Sequence, residues 1–273
     1  KKKLGQELNK IKTQIELAIR EKEKLLNAQK LESKEIDVEL PGMNARVGTR
    51  HPISITINEI TKILSQFGFS KVIGDEIETE FYNFEALNIP ETHPARDMHD
   101  TFYINVKNLL RTHTSSVQIH SMEKYNAPIK IMTPGRVYRC DSDPTHSPMF
   151  HQIEGLYVDE GVSFTHLKGI LEEFINLYFG KKMEIRFRPS YFPFTEPSAE
   201  IDIKFNNKWL EVLGCGMVHN NVLMNVNIDT KKYSGFAFGL GIERFAMLKY
   251  GIRDLRLFYE NDLMFLKQFS GIK

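Results

Sequence analysis

The sequence predicts an α+β fold, with a helical arm over residues 1–40 and a body over residues 41–273 built on a mainly antiparallel β-sheet flanked by helices. Three observations predict it. A heptad stripe runs along the first 35 residues, the body contains two amphipathic helices, and its short strands are separated by loops too short for a crossover helix. A chain of 273 residues that is 41% hydrophobic can form one large core with an appendage.

The arm is predicted from apolar residues that recur at alternating steps of four and three, namely Leu4, Leu8, Ile11, Ile15 and Ala18. Residues 1–35 contain ten Lys and Arg against six Glu, so the helix is basic outside its stripe. Two interpretations stay open: the helix lies along an RNA backbone, or it is a solvated helix packed on an antiparallel partner helix. The aperiodic segment 41–52, with two glycines and two prolines, separates the arm from the body.

In the body, helical periodicity predicts one helix over residues 53–67, ended by Gly68, and another over residues 167–178, ended by Gly180. β-branched and aromatic runs predict strands over residues 136–140, 152–158, 184–188, 201–205 and 209–213. We expect the helices to pack on one face of the sheet.

Composition excludes several classes of protein. The net charge of +1, from 36 basic and 35 acidic residues, gives no global attraction to nucleic acid. The two cysteines, Cys140 and Cys215, are too few for a disulfide framework and have the wrong spacing for a zinc site. No apolar run approaches the roughly 20 residues that span a bilayer, and the lysine-rich start does not resemble a signal sequence. We therefore expect a cytoplasmic protein without a membrane anchor, and the absence of an initiator methionine suggests residues upstream.

Two arginines are placed where an anionic ligand could meet them. Arg139 sits in a predicted strand that is followed by a loop rich in Asp, Pro and His, and Arg244 lies one turn inside a helix that follows a glycine-rich strand. Guanidinium groups suit bidentate phosphate binding, so a nucleoside triphosphate between them is one hypothesis, and two unrelated surface arginines are the alternative. The glycine pair Gly239 and Gly241 lacks the third glycine and the repeated strand–helix units of a dinucleotide-binding fold.

Two further segments favour a ligand site. In a strand, Phe150, Gln152 and Glu154 share one face, which places an aromatic ring, an amide and a carboxylate side by side. The proline-stiffened segment 191–197 brings Phe192 and Phe194 together. These two rings are either core residues or the walls of a pocket for another aromatic ring.

Taken together, the segments around Arg139 and Arg244 resemble motifs 2 and 3 of the class II aminoacyl-tRNA synthetases. The helix over residues 53–67 and the segment 87–97 resemble the motif 1 region. Five blocks resemble, in order, the phenylalanine-specific alpha subunit of the bacterial type: RTHTSSVQ at 111–118, MFHQIEGLYV at 149–158, YFPFTEPSAE at 191–200, WLEVLGCGMVH at 209–219 and GFAFGLGIERFAML at 235–248. The resemblance implies a class II catalytic domain that activates phenylalanine with ATP and transfers it to tRNA.

The resemblance also implies catalytic roles at matching positions. Arg139 would bind the α-phosphate of ATP, Arg244 and His146 would hold the outgoing phosphates, and Phe150 would stack on adenine. The motif 2 arginine is followed closely by Asp141, where a class II motif often has glutamate, so the role of Asp141 stays open.

For the amino acid, the resemblance implies four residues that bind its amino and carboxyl groups: His113, Ser115, Gln152 and Glu154. Phe192 and Phe194 would meet the phenyl ring, and Ala237 would form the wall that limits para-substituents. Glu196 would share Mg²⁺ with the partner subunit.

The family implies two alpha and two larger beta chains, with much of the tRNA recognition outside this chain. Its N-terminal arm is normally a longer helical hairpin, so we expect this chain to be shortened at its N-terminus. The sequence leaves three alternatives. The first is a single-chain mitochondrial form of the enzyme, in which an anticodon-binding domain would follow motif 3. The others are a non-catalytic synthetase-like regulatory subunit and a structural protein with a coiled-coil stalk.

Overall fold

The computed structural model describes residues 2–32, 48–92, 101–140 and 146–271. The chain divides into two units, Lys1–Val47 and Gly48–Lys273. The predicted boundary between residues 40 and 41 lies outside the described residues, as do Asp141 and part of the 87–97 segment. That domain boundary stays a prediction.

The first unit contains one long helix, α1 (Lys2–Glu32). The helix predicted from the heptad stripe is therefore present. Its stripe residues Leu8, Ile11 and Ile15 are exposed. The structure does not decide between an RNA-facing arm and packing on a partner helix, so both interpretations of α1 stay open.

The second unit is built on a seven-stranded sheet of order β1-β4-β5-β9-β8-β7-β6, in which β1 pairs with β4 in parallel and the other pairs are antiparallel. Its strands are β1 (Ser70–Lys71), β4 (Ile129–Tyr138), β5 (Met149–Glu160), β6 (Ile185–Phe192), β7 (Thr195–Phe205), β8 (Lys208–Val218) and β9 (Tyr233–Gly241). The strands β2 (Ile77–Thr79) and β3 (Asn108–Leu110) form a separate antiparallel pair. The predicted mainly antiparallel sheet is confirmed.

Three helices pack on one face of the sheet: α2 (Pro52–Gln66), α5 (Phe164–Phe179) and α7 (Ile242–Tyr250). α2 begins with Pro52 at a position where no N–H is needed, and the ring of His51 accepts a hydrogen bond from the Ile53 N–H at 3.2 Å. Gly68, two residues after the end of α2, and Gly180, directly after α5, adopt φ of +86° and +64°. Both end their helices as predicted, because glycine enters the left-handed region without strain.

The opposite face carries a second, smaller core at the β4–β5 side. It is covered by a 3-10 helix, Glu85–Leu87, which follows α3 (Glu80–Asn83), and by α4 (Ser116–Lys124) and α6 (Asn220–Asn225). The expectation that helices lie on one face is therefore incomplete. The 3-10 helix, α3 and α6 are too short to show a helical period, and α4 shows no apolar period because its buried residues include Ser116, Gln118 and Ser121. Together these helices leave the central strands of this face uncovered. A 3-10 helix, Leu255–Phe258, and α8 (Leu263–Lys267) end the fold.

Two strand predictions need correction. β4 begins at Ile129 and ends at Tyr138, so Arg139 lies one residue beyond the strand in which it was predicted. The Arg139 N–H still donates to the Pro148 carbonyl at 3.0 Å, but Pro148 has no N–H to return, which ends the ladder there. β6 and β7 also extend into the 191–197 segment, which is the turn of a hairpin.

Candidate active site

One cavity of about 970 Å³ lies over β5, β8 and β9, on the face of the sheet opposite α2, α5 and α7. Every residue that the sequence predicted for the site lines it except Glu196. The lining residues predicted from the sequence are His113, Ser115, Arg139, His146, Phe150, Gln152, Glu154, Phe192, Phe194, Ala237 and Arg244. Segments far apart in the chain are thus brought to one place.

Arg139 is oriented by the chain beside it. Its Nε donates to the Thr112 carbonyl at 3.1 Å, and its guanidinium lies 5.2 Å from the centre of the Phe150 ring. Thr112 is itself held by Asn83, a fully buried amide whose Nδ2 donates to Thr112 Oγ1 at 3.1 Å and whose Oδ1 accepts from the Thr112 N–H at 3.2 Å. A buried amide therefore fixes the carbonyl that aims Arg139.

Arg244 reaches the cavity from its other side. It is the third residue of α7, which follows β9 directly, and its side chain is exposed. Its Nη1 donates to the carbonyl of Glu211 at 2.9 Å. Arg139 and Arg244 line the same cavity, and guanidinium groups suit anionic ligands.

The cavity floor contains a buried carboxylate. Glu154 accepts hydrogen bonds from the Thr114 N–H at 3.2 Å, from Ser115 Oγ at 2.6 Å and from Gln118 Nε2 at 2.8 Å. Burial raises the pKa of Glu154 above its ordinary value, although the hydrogen bonds from Ser115 and Thr114 act in the opposite direction. A carboxylate has about four lone-pair positions, so one remains for a further donor.

Gln152 lies two residues earlier on the same face of β5. Its Oε1 is buried, and within the described part of the chain no group donates a hydrogen bond to it. An acceptor buried in this way is stabilised by a ligand that carries N–H groups. Gln152 and Glu154 together suit a substrate ammonium group.

Two aromatic rings form one wall. The rings of Phe192 and Phe194 stack with centroids 5.9 Å apart and an interplanar angle of 10°. Phe192 lies over Gly214, where an added Cβ would approach the ring to 2.9 Å, so only glycine leaves room for it. The buried side chain of Ala237 also lines this cavity. The wall is apolar and shaped for a flat ring.

Three carboxylates that were not predicted from the sequence also line the cavity, namely Glu200, Glu211 and Glu243. Glu200 accepts from Arg188 Nη2 at 2.6 Å and from Ser190 Oγ at 2.9 Å. Burial, and next the charge of Glu200, raise the pKa of Glu211. Arg188 Nη2 lies 2.6 Å from Glu200 and 3.5 Å from Glu211, and the charges of Arg244 and Arg188 act against the rise in the pKa of Glu211. Carboxylate oxygens are ligands that Mg²⁺ takes, so a cation here would share the pair with Arg188. Glu200 could have been found from its alternation with the buried Ala199 and Ile201 in β7.

A model of the tRNA synthetases class II core domain (F) matches residues 35–269. The phenylalanine–tRNA ligase alpha subunit of Idiomarina loihiensis is 56% identical over 99% of this chain and 84% of its own length. That of Acinetobacter baumannii is 58% identical over 97% of this chain and 82% of its own length.

The chain belongs to the phenylalanine–tRNA ligase alpha subunits of class II.

The fold of this alpha subunit family is also seen at low sequence identity. A crystal structure of pyrrolysyl-tRNA synthetase from Desulfitobacterium hafniense matches with a TM-score of 0.63 at 19% identity, over 82% of this chain and 78% of that one. The class II fold predicted from the sequence is confirmed. No helix within the described residues is long and apolar enough to cross a membrane.

Glu196, the predicted metal ligand of this alpha subunit, lies outside the cavity lining. Its side chain is 78% exposed and lies 3.4 Å from Nε2 of His219. Its predicted sharing of a metal with a partner subunit stays a prediction.

Two polar residues that support the site were also missed. Gln118 donates to Glu154 from α4. Glu243, beside Arg244, is buried and accepts from the N–H of His151 at 2.9 Å, from His151 Nδ1 at 2.8 Å and from the Tyr259 hydroxyl at 2.5 Å. Glu243 thereby joins the beginning of β5 to the C-terminal segment. No sequence period marks either residue, because their partners lie on other elements.

Proposed function

We propose that this chain carries the activation site of a phenylalanine–tRNA ligase. It joins L-phenylalanine to ATP to give phenylalanyl-adenylate and pyrophosphate, and then transfers the phenylalanyl group to the 3'-terminal adenosine of the tRNA. The observation that carries the proposal is that one cavity combines a stacked pair of phenylalanine rings, a buried carboxylate beside an open amide acceptor, and two arginines. Each element matches one part of the substrate pair.

The amino acid is held by charge at one end and by shape at the other. Its ammonium group donates to Glu154 and to the buried Oε1 of Gln152. Ser115 holds Glu154 through its hydroxyl hydrogen, and His113 orients the substrate carboxylate. Its ring packs against Phe192 and Phe194, an edge-to-face arrangement that adds roughly 0.5–1.5 kcal/mol beyond burial. Ala237 limits the space at the far end of the ring.

Activation is an in-line displacement. A carboxylate oxygen of phenylalanine attacks the α-phosphorus of ATP, the new C–O–P anhydride bond forms, and the bond to the β-phosphate oxygen breaks to release pyrophosphate. Arg139 stabilises the charge that develops on the α-phosphate, and Arg244 with His146 holds the departing phosphates, while Phe150 supports the adenine. Catalysis by this chain rests on positioning and electrostatics.

Glu200 and Glu211 are the carboxylates of the cavity that would hold Mg²⁺, since this ion takes few protein carboxylates beside phosphate oxygens. When bound, the ion would neutralise charge on the β- and γ-phosphates. Glu196 is a second, separate candidate ligand at the surface.

In the transfer step, a ribose hydroxyl of the terminal adenosine attacks the carbonyl carbon of the adenylate, and AMP leaves. The proposal includes a beta subunit as partner, in an assembly of two alpha and two beta chains, and tRNA contact by α1. It also places the reaction in the cytoplasm, as the sequence predicts.

The test is amino-acid-dependent ATP–pyrophosphate exchange by the complex of this chain with its beta subunit. We expect exchange with phenylalanine at far lower concentration than with any other standard amino acid. Exchange with leucine or histidine and none with phenylalanine would refute the assignment of the substrate.

A further inference from the structure

The hairpin turn between Phe192 and Phe194 accepts a hydrogen bond from the amide side chain of Asn88. Pro193 lies between Phe192 and Phe194, and it is buried. Its carbonyl accepts a hydrogen bond from Nδ2 of Asn88 at 2.7 Å. Asn88 does not line the cavity, so this contact reaches the rings only through the turn.

Asn88 lies between two residues of the cavity wall. It follows the 3-10 helix Glu85–Leu87 in a left-handed conformation, with φ of +64° and ψ of +29°, which asparagine tolerates better than most residues. Its neighbours Leu87 and Ile89 are buried and line the cavity. One short stretch of chain thus contributes two wall residues and, between them, the amide that holds the opposite turn.

A second amide fixes the orientation of the first. Asn221 Nδ2 donates to Asn88 Oδ1 at 2.9 Å, so the Asn88 amide must present its NH₂ group to Pro193. The same end of α6 also holds the other side of the turn, because the N–H of His219 donates to the Phe194 carbonyl at 2.9 Å. Asn221, Asn88 and the carbonyl of Pro193 therefore form a continuous chain of hydrogen bonds.

The rings have little freedom to compensate if this anchor is lost. Phe194 packs against the smaller core on the cavity face of the sheet and against a buried cluster of Phe84, Ile89 and Leu109. Phe192 lies over Gly214 with no room for even a methyl group. A shift of the turn therefore changes the spacing between the two rings and the ring of the substrate. Dispersion contacts weaken steeply over such small displacements.

We propose that Asn88 is a positioning residue for amino-acid specificity, acting through Pro193 to set the geometry of the Phe192–Phe194 pair. This inference rests on the proposed function, since it assumes that the rings bind the phenyl group of phenylalanine. Asn88 itself touches neither substrate.

The experiment measures pyrophosphate exchange by the alpha–beta complex as a function of phenylalanine and of ATP. Asn88→Asp keeps the shape, the left-handed preference and the acceptor for Asn221, but it places an oxygen opposite the Pro193 carbonyl. Asn88→Gly keeps the backbone conformation and removes the side chain without adding charge. The loss of one hydrogen bond raises KM for phenylalanine about 2- to 13-fold, and leaves KM for ATP and kcat at saturating phenylalanine unchanged.

Asn225→Ala is the matched control. Asn225 donates to the carbonyl of Ala86 at 3.2 Å, so it holds the same 3-10 helix from the C-terminal end of α6, whereas Asn221 lies near its N-terminal end. This variant keeps the wild-type KM for phenylalanine. Asn221→Ala raises KM in the wild-type background and adds nothing in the Asn88→Gly background, because its effect passes through Asn88.

The outcomes distinguish a failure of the proposed function from a failure of the positioning role of Asn88. If the wild-type complex shows no phenylalanine-dependent exchange, the proposed function fails. If the wild type is active and both Asn88 variants keep their KM for phenylalanine, or KM for ATP rises equally, the positioning role is wrong. An equal effect of Asn225→Ala would also overturn it, because the contact would then serve general stability alone.

Discussion

Replacing Glu154 by glutamine tests the charge at the floor of the cavity. The wild-type carboxylate is 6% exposed and accepts three hydrogen bonds, from Thr114, Ser115 and Gln118. Glutamine has the same shape, but it removes the negative charge and presents an NH₂ group to at least one of these donors. The substrate ammonium loses its charged partner.

The size of the effect follows from that loss. A hydrogen bond to a charged group contributes about 1.5–3 kcal/mol, so KM for phenylalanine should rise about 10- to 150-fold. KM for ATP should change little, because the arginines that face the phosphates are untouched. The donor left opposite another donor should lower folding stability by about 1–3 kcal/mol, which is checked by urea unfolding.

The assay is pyrophosphate exchange at varied phenylalanine and at varied pH. Burial raises the pKa of Glu154, and the ammonium requires the carboxylate, so wild-type kcat/KM for phenylalanine should fall as pH drops through that raised pKa. The acid limb should disappear in Glu154→Gln. A variant that keeps both the wild-type KM and the acid limb would refute the role of Glu154.

The same raised pKa has a consequence for stability. Between the unfolded and the folded pKa, the folded chain binds more protons at Glu154 than the unfolded chain does. The contribution of this group to the free energy of unfolding therefore falls as pH rises through that window. Glu154→Gln should remove this pH-dependent contribution to the free energy of unfolding. Urea unfolding of the wild type and the variant across acidic pH measures it.

Three further changes give separate tests. Arg244→Ala should lower kcat/KM for ATP about 10- to 150-fold in the exchange assay and leave KM for phenylalanine unchanged, because a charged contact to phosphate is lost. Thr112→Val should reduce the free energy of unfolding in urea by about 1–3 kcal/mol, because the buried Nδ2 of Asn83 loses its acceptor. Ala237→Val should lower kcat/KM for phenylalanine roughly 10- to 200-fold by filling the end of the cavity, whereas Ala237→Gly should admit a para-substituted phenylalanine.

Each of these has a contrary outcome. Normal exchange kinetics for ATP in Arg244→Ala would show that Arg244 does not hold the departing phosphates. An unchanged unfolding midpoint in Thr112→Val would show that the Asn83 contact is not formed in solution. Equal rejection of the para-substituted substrate by Ala237→Gly and the wild type would place the substrate ring elsewhere in the cavity.

The sequence predicted the parts of the site that depend on local periodicity. The period of two in β5 places Phe150, Gln152 and Glu154 on one face, and all three line the cavity. The long amphipathic helices were equally clear, because each has a continuous apolar face. The spacing of residues along the chain is sufficient to predict a shared face when all the residues lie in one strand or one helix.

What the sequence could not predict depends on how elements meet. Gln118 reaches Glu154 only because α4 packs beside β5. The first half of β4 was not predicted, because Pro134 interrupts the run of strand-forming residues. The structure tolerates this proline because β1 pairs with β4 only at Ile131 and Met132. At Pro134 no neighbouring strand on that side needs a backbone N–H.

The most direct test of the central claim is a crystal structure of the alpha–beta complex with a non-hydrolysable analogue of phenylalanyl-adenylate. We expect the phenyl ring against Phe192 and Phe194, the ammonium at Gln152 and Glu154, and the phosphate mimic at Arg139. An analogue bound outside this cavity, or one whose ring lies away from both phenylalanines, would contradict the account.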